Sequence, residues 1–386
     1  MPRHIRVSEA CYCTEKGRRP NRSSVTLPPT PCLVLDLDAL ARNIVRMHVF
    51  AAAHGLSLRP HAKTHKSRAI ATLQAEAGAI GICCATLHEA EQLAGAAPSI
   101  LLTSPLTTPD KFAGIAALIA RGIALAVVID HPDVIAPLAA ALPQGSRLRV
   151  LVDVDPGAGR TGVATPADAV ILARAIAAEA RLLYGGIQYY CGSEQHVRAL
   201  ADRRAAIATL NRKLRATIDA LAAAGLAPPV VTGGGTGTHA LDAEARLLTE
   251  LQCGSYIFMD QDYGACELGG AAPFEQALTL HATVVSASQA GFVTLDAGTK
   301  AMATDAGEPR VIAGAHPDSR YRFKGDEFGR LDLPEGAPSP AIGDRIVLLP
   351  PHCDPTVNLH GTYHLMRGGE AAGLWRAEGR GYSARP

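Results

Sequence analysis

A chain of 386 residues is longer than one core usually fills, so two domains, or one large barrel with an appendage, are expected. Apolar residues make up 48%, a globular proportion, and 37 Lys and Arg against 36 Asp and Glu leave a formal charge of +1. That balance offers no electrostatic basis for binding nucleic acid or an anionic membrane. No apolar run reaches the roughly 18 residues a spanning helix needs; "IAALIARGIALAVVID" is broken by Arg121 and Gly122.

The first 29 residues are polar and basic, with no apolar h-region of a secretory signal, and read as a loose arm. The nine cysteines have no repeating spacing, and neither Cys83-Cys84 nor Cys11-x-Cys13 makes a zinc pattern. Cys32 and Cys84 lie in apolar surroundings and read as small core residues. A reducing, cytoplasmic compartment is the expectation.

From residue 57 short β-branched runs alternate with Ala-rich amphipathic stretches. The predicted strands are "SLRPH" (57–61), "AIGICC" (79–84), "SILLTS" (99–104), "IALAVVID" (123–130), "LRVLVDVD" (148–155), "LLYGGIQY" (182–189), "PPVVTGG" (228–234) and "ELQCGSYIF" (250–258). Segments such as "TPADAVILARAIAAEAR" supply the helices between them. Eight alternations predict an α/β fold, a (β/α)8 TIM-type barrel with its chemistry at the strand C-termini. A doubly wound sheet is disfavoured because no G-x-G-x-x-G follows an early strand. After residue 275, "LTLHATVVSAS", "GFVTLDAG", "RVIAGAH" and "DRIVLLPPH" read as a C-terminal antiparallel β domain. "CLVLDLD" (32–38) could join it. The expected division is an arm (1–29), a barrel (30–270) and a β domain (271–386).

The strand ends gather unusual residues. "RPHAKTHK" places Lys63 between His61 and His65 after the first strand. "RTG" (160–162) follows the fifth strand, "QYYCG" closes the sixth and "TGGGTGT" (232–238) closes the seventh. Three glycines between Thr232 and Thr236 leave room for a phosphate among backbone N–H groups. A lysine and a phosphate site at one barrel mouth suggest pyridoxal phosphate, with the amine forming an imine to its aldehyde. His61 and His65, if protonated, would lower the Lys63 pKa by like-charge repulsion. In "PPHCDPTVNLHGTYH", His352 and Asp354 would share one face of an extended strand, an imidazole and a carboxylate suited to a divalent cation.

The motifs "RPHAKTHK", "DVDPGAGRTGV", "GGIQYYCGSEQH", "TGGGTGT", "ELQCGSYIFMDQDYG", "DAGTK" and "PPHCDPTVNLH" together resemble the D-threonine aldolase and D-serine dehydratase family, over about residues 30 to 385. These are fold-type III pyridoxal phosphate enzymes with an alanine-racemase-type barrel. The resemblance implies Lys63 as the Schiff-base lysine, Arg160 near the cofactor's phenolic oxygen and Tyr190 near its ring. It implies a phosphate held by Thr232, Gly234, Gly235, Thr236, Gly254 and Ser255, with Tyr256 close by. It implies His352 and Asp354 as ligands of a divalent metal, Mn or alternatively Zn, Mg or Co. His-x-Asp resembles the aldolases of this family and His-x-Cys its dehydratases. Three stretches depart from the usual pattern: "CCATLHEAE" around Leu87, Cys191 in "QYYCG", and Phe328 in "GDEFG".

The implied reaction is retro-aldol cleavage of D-threonine or a related D-3-hydroxy amino acid to glycine and an aldehyde. The base is open among His61, His65, His360 and a metal-bound water. The alternatives are a D-serine-like dehydratase and a 3-hydroxy-D-aspartate aldolase. A racemase using Tyr256 or Tyr263 would leave the His-x-Asp pair unexplained, and a cofactor carrier would leave the β domain so. The resemblance also implies a homodimer.

Overall fold

The computed structural model describes residues 28–269 and 273–382; nearly all of the N-terminal arm (1–27) lies outside the described residues. The described chain forms two compact units. One takes residues up to 46, 255–265 and 273–380, and the other takes 47–254, 266–269 and 381–382.

The first strand, β1 (Cys32–Asp36), belongs to the former unit. The latter unit holds eight parallel strands: β2 (Ser57–Leu58), β3 (Ile82–Cys84), β4 (Ile100–Leu102), β5 (Leu125–Ile129), β6 (Leu148–Asp153), β7 (Leu182–Tyr189), β8 (Val231–Gly233) and β9 (Glu250–Leu251). Their order is β2-β9-β8-β7-β6-β5-β4-β3. A parallel bridge between His61 and Cys83 joins the two edges, with Cys83 N donating to Pro60 O and Ala62 N to Cys83 O, both at 2.8 Å. The sheet therefore closes on itself as a barrel. Cys83, Leu101, Val128 and Leu151 form one buried cluster.

Most strands are shorter than their apolar runs, and proline explains two cases. Pro60 cannot donate to a ladder, and β2 stops at Leu58; Pro228 and Pro229 delay β8 to Val231. "ELQCGSYIF" is not one strand: β9 ends at Leu251, and Ser255–Ile257 form a 3-10 turn. The helices begin where local chemistry dictates. Thr86 with Glu89 and Thr165 with Asp168 make capping boxes for helices Leu87–Leu93 and Pro166–Ala178. Pro109 and Pro166 occupy the first turns, where no N–H is needed.

The other unit adds β10 (Leu278–Ser286), β11 (Phe292–Leu295), β12 (Arg310–Ala313), β13 (Arg320–Phe323), β14 (Gly329–Asp332), β15 (Arg345–Leu349), β16 (Thr362–Arg367) and β17 (Glu370–Arg376). With β1 they form a nine-stranded sheet ordered β11-β14-β13-β12-β15-β10-β1-β16-β17, and β11 also pairs with β10. That extra pairing curls one end of the sheet into a barrel-like shape. β1 runs antiparallel to β10 (Cys32 opposite His281) and parallel to β16 (Val34 opposite His364). The remaining pairings are antiparallel. In β10, Leu278, Leu280, Ala282 and Val284 are fully buried while the residues between them are not, the alternation of a one-sided sheet.

Candidate active site

The loop after β2 sorts its cations by burial. Lys66 has a left-handed backbone (φ 53°) and its ammonium meets Glu89 at 2.6 Å, with side chains 11% and 2% exposed. Glu89 also accepts the Ala85 amide at 2.7 Å, so one carboxylate ties this loop to helix Leu87–Leu93. Lys63 instead lines a cleft of about 320 Å3 at the strand C-termini, together with Thr103, Arg160, Gln188, Tyr190 and Gln252. The Arg160 guanidinium lies 5.3 Å from the Tyr190 ring centre.

The histidines flanking Lys63 do not act as its charged neighbours. His61 Nδ1 accepts the Lys63 amide at 3.3 Å, so that nitrogen carries no proton. Its Nε2 is 3.1 Å from the Thr103 hydroxyl, which itself donates to Cys84 O, so Nε2 is the donor and the ring is neutral. His65 is wholly buried, and its Nδ1 accepts the Ser67 amide at 3.0 Å. Both rings spend a lone pair on holding the loop.

Behind the cleft runs a buried amide network that sequence reasoning missed. Gln188 donates to Asp153 and to Thr103 O, each at 2.9 Å, and Thr161 donates to Asp153 at 2.8 Å. Burial raises the Asp153 pKa against those two donors. Gln252 donates to Gln188 and to the Thr232 hydroxyl, linking the cleft to "TGGGTGT". The available signal was a glutamine inside an otherwise apolar strand, "GGIQYY".

The glycine loop is shaped from beneath. Gln195 accepts the Gly237 and Thr238 amides and donates to Cys191 O and the Thr238 hydroxyl. Thr238 in turn donates to Asp242 at 2.7 Å. Gly235 gives its amide to Asp242, which helps to shape the loop. A Cβ on Gly234 (φ 72°) would lie 2.7 Å from Asp242, and one on Gly235 2.5 Å from Gln195. Thr236 is buried, and its carbonyl meets His239 Nδ1 at 2.7 Å. Gly254 presses on the lysine loop, where a Cβ would stand 2.5 Å from Thr64 Oγ1. Asp242 is buried, and desolvation raises its pKa to about 7 despite these bonds.

In the β unit, His352 and Asp354 do not lie on a strand. β15 ends at Leu349, Pro350 and Pro351 follow, and His352 caps a helix, Cys353–Asn358, with Asp354 in its first turn. Prolines that cannot extend the ladder, and Pro355 in the helix's first turn, account for the difference. Ser255 donates to Asp354 at 3.3 Å, which commits its hydroxyl to the carboxylate. Tyr256 is fully buried, its ring 5.6 Å from Phe274. Cys353, between the two predicted ligands, donates its thiol to Asp260 at 3.0 Å; burial raises its pKa well above the usual thiol value. His352 Nδ1 meets Asp305 at 2.6 Å. Burial alone would lower the His352 pKa, but Asp354, Asp305 and Asp260 outweigh it and raise it. His360 uses Nε2 on Ala301 O at 2.8 Å and is buried, which lowers its pKa; the bond staples it to a loop.

The departures from the family pattern also have places. Thr86 is the helix cap, Cys191 is buried with its carbonyl on Gln195, and Phe328 is exposed on the β13–β14 hairpin.

These residues fit the two groups the sequence implies. A cleft-lining amine and a glycine turn that tolerates no Cβ suit pyridoxal phosphate. Among the described residues no cluster of three or more His, Cys, Asp and Glu side chains gathers for a metal. His352 and Asp354, at the N-cap and in the first turn of one helix, are of the donor types a divalent cation takes.

The model of the alanine racemase N-terminal domain matches residues 35–262, and that of a serine dehydratase domain matches 277–366. The 3-hydroxy-D-aspartate aldolase of Paracoccus denitrificans is 39% identical over 363 residues, covering 92% of this chain and 93% of its own. The crystal structure of D-threonine aldolase from Filomicrobium marinum superposes with a TM-score of 0.87 at 36% identity, over 91% of this chain and 96% of that one. D-threo-3-hydroxyaspartate dehydratase from Delftia sp. HT23 superposes at 0.80 with 30% identity, over 93% and 99%. With its barrel, its glycine turn and its C-terminal β unit all matched in this way, the chain belongs to the D-threonine aldolase and D-serine dehydratase-like family of fold-type III pyridoxal phosphate enzymes.

Proposed function

We propose that the protein is a pyridoxal phosphate-dependent aldehyde-lyase that cleaves D-threonine and related D-3-hydroxy amino acids to glycine and an aldehyde, with a divalent cation on His352 and Asp354. The observation that carries the aldolase over the dehydratase reading is the placement of Cys353. Its thiol is buried and bonded to Asp260, with its pKa raised by burial, which supports an imidazole and carboxylate pair over an imidazole and thiolate pair.

When bound, the cofactor takes up the electron pair left on Cα, and the cation lowers the pKa of the β-hydroxyl. The chain's own residues then have distinct tasks. Lys63 supplies the amine of the cleft, and the His61, Lys66 and Glu89 contacts hold its loop in place. Thr232, Gly234, Thr236 and Gly254 are proposed for the phosphate, with Gly235 contributing shape and Ser255 only its main chain. Arg160 and Tyr190 are proposed to flank the ring. Ser255 and Asp305 hold Asp354 and His352, respectively. The base is proposed among His61, His65 and His360, each of which bonds the main chain through one ring nitrogen; Lys63 is proposed to return the proton to Cα.

Mn is the proposed cation, with Zn, Mg or Co as alternatives. A homodimer is part of the same proposal. So is a reducing, cytoplasmic setting; among the described residues no helix is long and apolar enough to cross a membrane. A second substrate, 3-hydroxy-D-aspartate, is supported by the similarity to the Paracoccus aldolase.

The test is incubation of holoenzyme with D-threonine and Mn2+, measuring acetaldehyde with glycine against ammonia with 2-oxobutyrate. Acetaldehyde and glycine that vanish with EDTA support the proposal; ammonia and the oxo acid would sink it.

A further inference from the structure

We infer that Asp305 is the positioning residue of the cation site: its carboxylate fixes the imidazole of His352 in the tautomer that leaves Nε2 as the metal-binding nitrogen. This rests on the metal-dependent reading above.

The two side chains meet at 2.6 Å through His352 Nδ1 and Asp305 Oδ2. A carboxylate opposite Nδ1 accepts that nitrogen's proton, so the lone pair falls on Nε2 and the ring is held against rotation. Nothing in the identity of Asp305 announces this, since it lies 47 residues before its partner, in the loop after "DAGTK".

The loop carrying Asp305 is fastened to the same helix that carries the ligands. The Ala303 amide donates to Thr356 Oγ1 at 3.2 Å, and His360 bonds Ala301 O at 2.8 Å. Three residues of the ligand segment, His352, Thr356 and His360, thus reach one loop at 301–305. The backbone contacts place the loop, and the Asp305 side chain engages a proposed ligand.

Exposure separates this role from a structural one. The Asp305 side chain is 52% exposed against 21% for His352. A pair this open contributes little to folding stability, so a change at Asp305 should register in metal binding before it registers in the fold.

The test uses pyridoxal phosphate-loaded enzyme stripped of metal with EDTA and titrated with Mn2+, free Mn2+ being followed by electron paramagnetic resonance. Asp305→Asn is expected to bind Mn2+ roughly 10- to 100-fold more weakly, the usual cost of losing a ligand's orienting partner. Its melting temperature and cofactor absorbance should match wild type, and Asp305→Glu, which keeps the charged carboxylate that Asn lacks, should recover most of the affinity. Wild-type affinity in Asp305→Asn would overturn the inference alone. Complete loss, as severe as in Asp354→Asn, would overturn it too, by making Asp305 a ligand. If wild-type enzyme binds no Mn2+, the cation reading under Proposed function falls, and the inference with it.

Discussion

The thiol of Cys353 donates to the carboxylate of Asp260 at 3.0 Å, and neither residue is more than 1% exposed. Asp260 also accepts the amides of Cys353 and Tyr263, so it organises the start of the ligand helix from within the β unit. Cys353→Ala should therefore cost stability, about 1–3 kcal/mol for a buried acceptor that loses a partner, and leave Mn2+ affinity near wild type. Asp354→Ala should do the reverse. Urea unfolding and metal titration on both variants check this; loss of metal binding in Cys353→Ala would return the thiol to the ligand set.

Lys66 and Glu89 form a buried pair beside the lysine loop. Glu89→Gln removes the charge opposite a buried ammonium, and breaking such a pair costs about 3–5 kcal/mol. Urea denaturation should show that loss. Lys63→Ala should keep the wild-type midpoint and lose only the imine absorbance of bound cofactor. A destabilised Lys63→Ala with a neutral Glu89→Gln would mean the two lysines have been assigned the wrong way round.

Asp242 titrates near 7 in the fold because burial disfavours its charge, against 3.8 when solvated. Its folded pKa is the higher one, so the folded state holds the proton longer. The stability it permits is complete below about pH 4 and declines as pH rises toward 7, by about 4 kcal/mol in all. Asp242→Asn should flatten that stretch of the pH–stability curve of the cofactor-free protein. Parallel curves for wild type and Asp242→Asn between pH 4 and 8 would contradict it.

Gly235→Ala tests the glycine turn. The new methyl would meet Gln195 at 2.5 Å, displacing the group that holds the Gly237 and Thr238 amides. Cofactor affinity, measured by absorbance titration, should fall by tenfold or more while the barrel stays folded; unaltered affinity would count against this turn as the phosphate seat.

The apolar runs of the barrel strands were legible because parallel strands covered on both faces leave a nearly continuous hydrophobic trace. Their ends were not, since Pro60, Pro228 and Pro229 cut hydrogen bonding inside runs that remain apolar. The chemistry of His352 and Asp354 was legible from residue type, but their geometry depends on where β15 stops, and the prolines after Leu349 turn the chain into a helix. Gln195, Asp242 and Asp305 carried no signal of their own. Their roles arise from partners that folding alone brings near: 42 residues separate Gln195 from Gly237, and 47 separate Asp305 from His352. For His61 and His65, nearness along the chain suggested charge, and the fold adds what the sequence did not show: each ring accepts a main-chain amide.

β1 is made first and finished last. Thr279 in β10 pairs with Val34 across 245 residues, and the partner on its other side, β16, is later still. At about 5–20 residues per second, a ribosome spends roughly 10–50 s between the two. Throughout that interval "CLVLD", four of whose five residues are buried in the finished fold, has neither neighbour available. The nascent chain thus carries an apolar strand with open edges while its barrel is being synthesised, a natural foothold for a chaperone and a hazard when many copies are translated together.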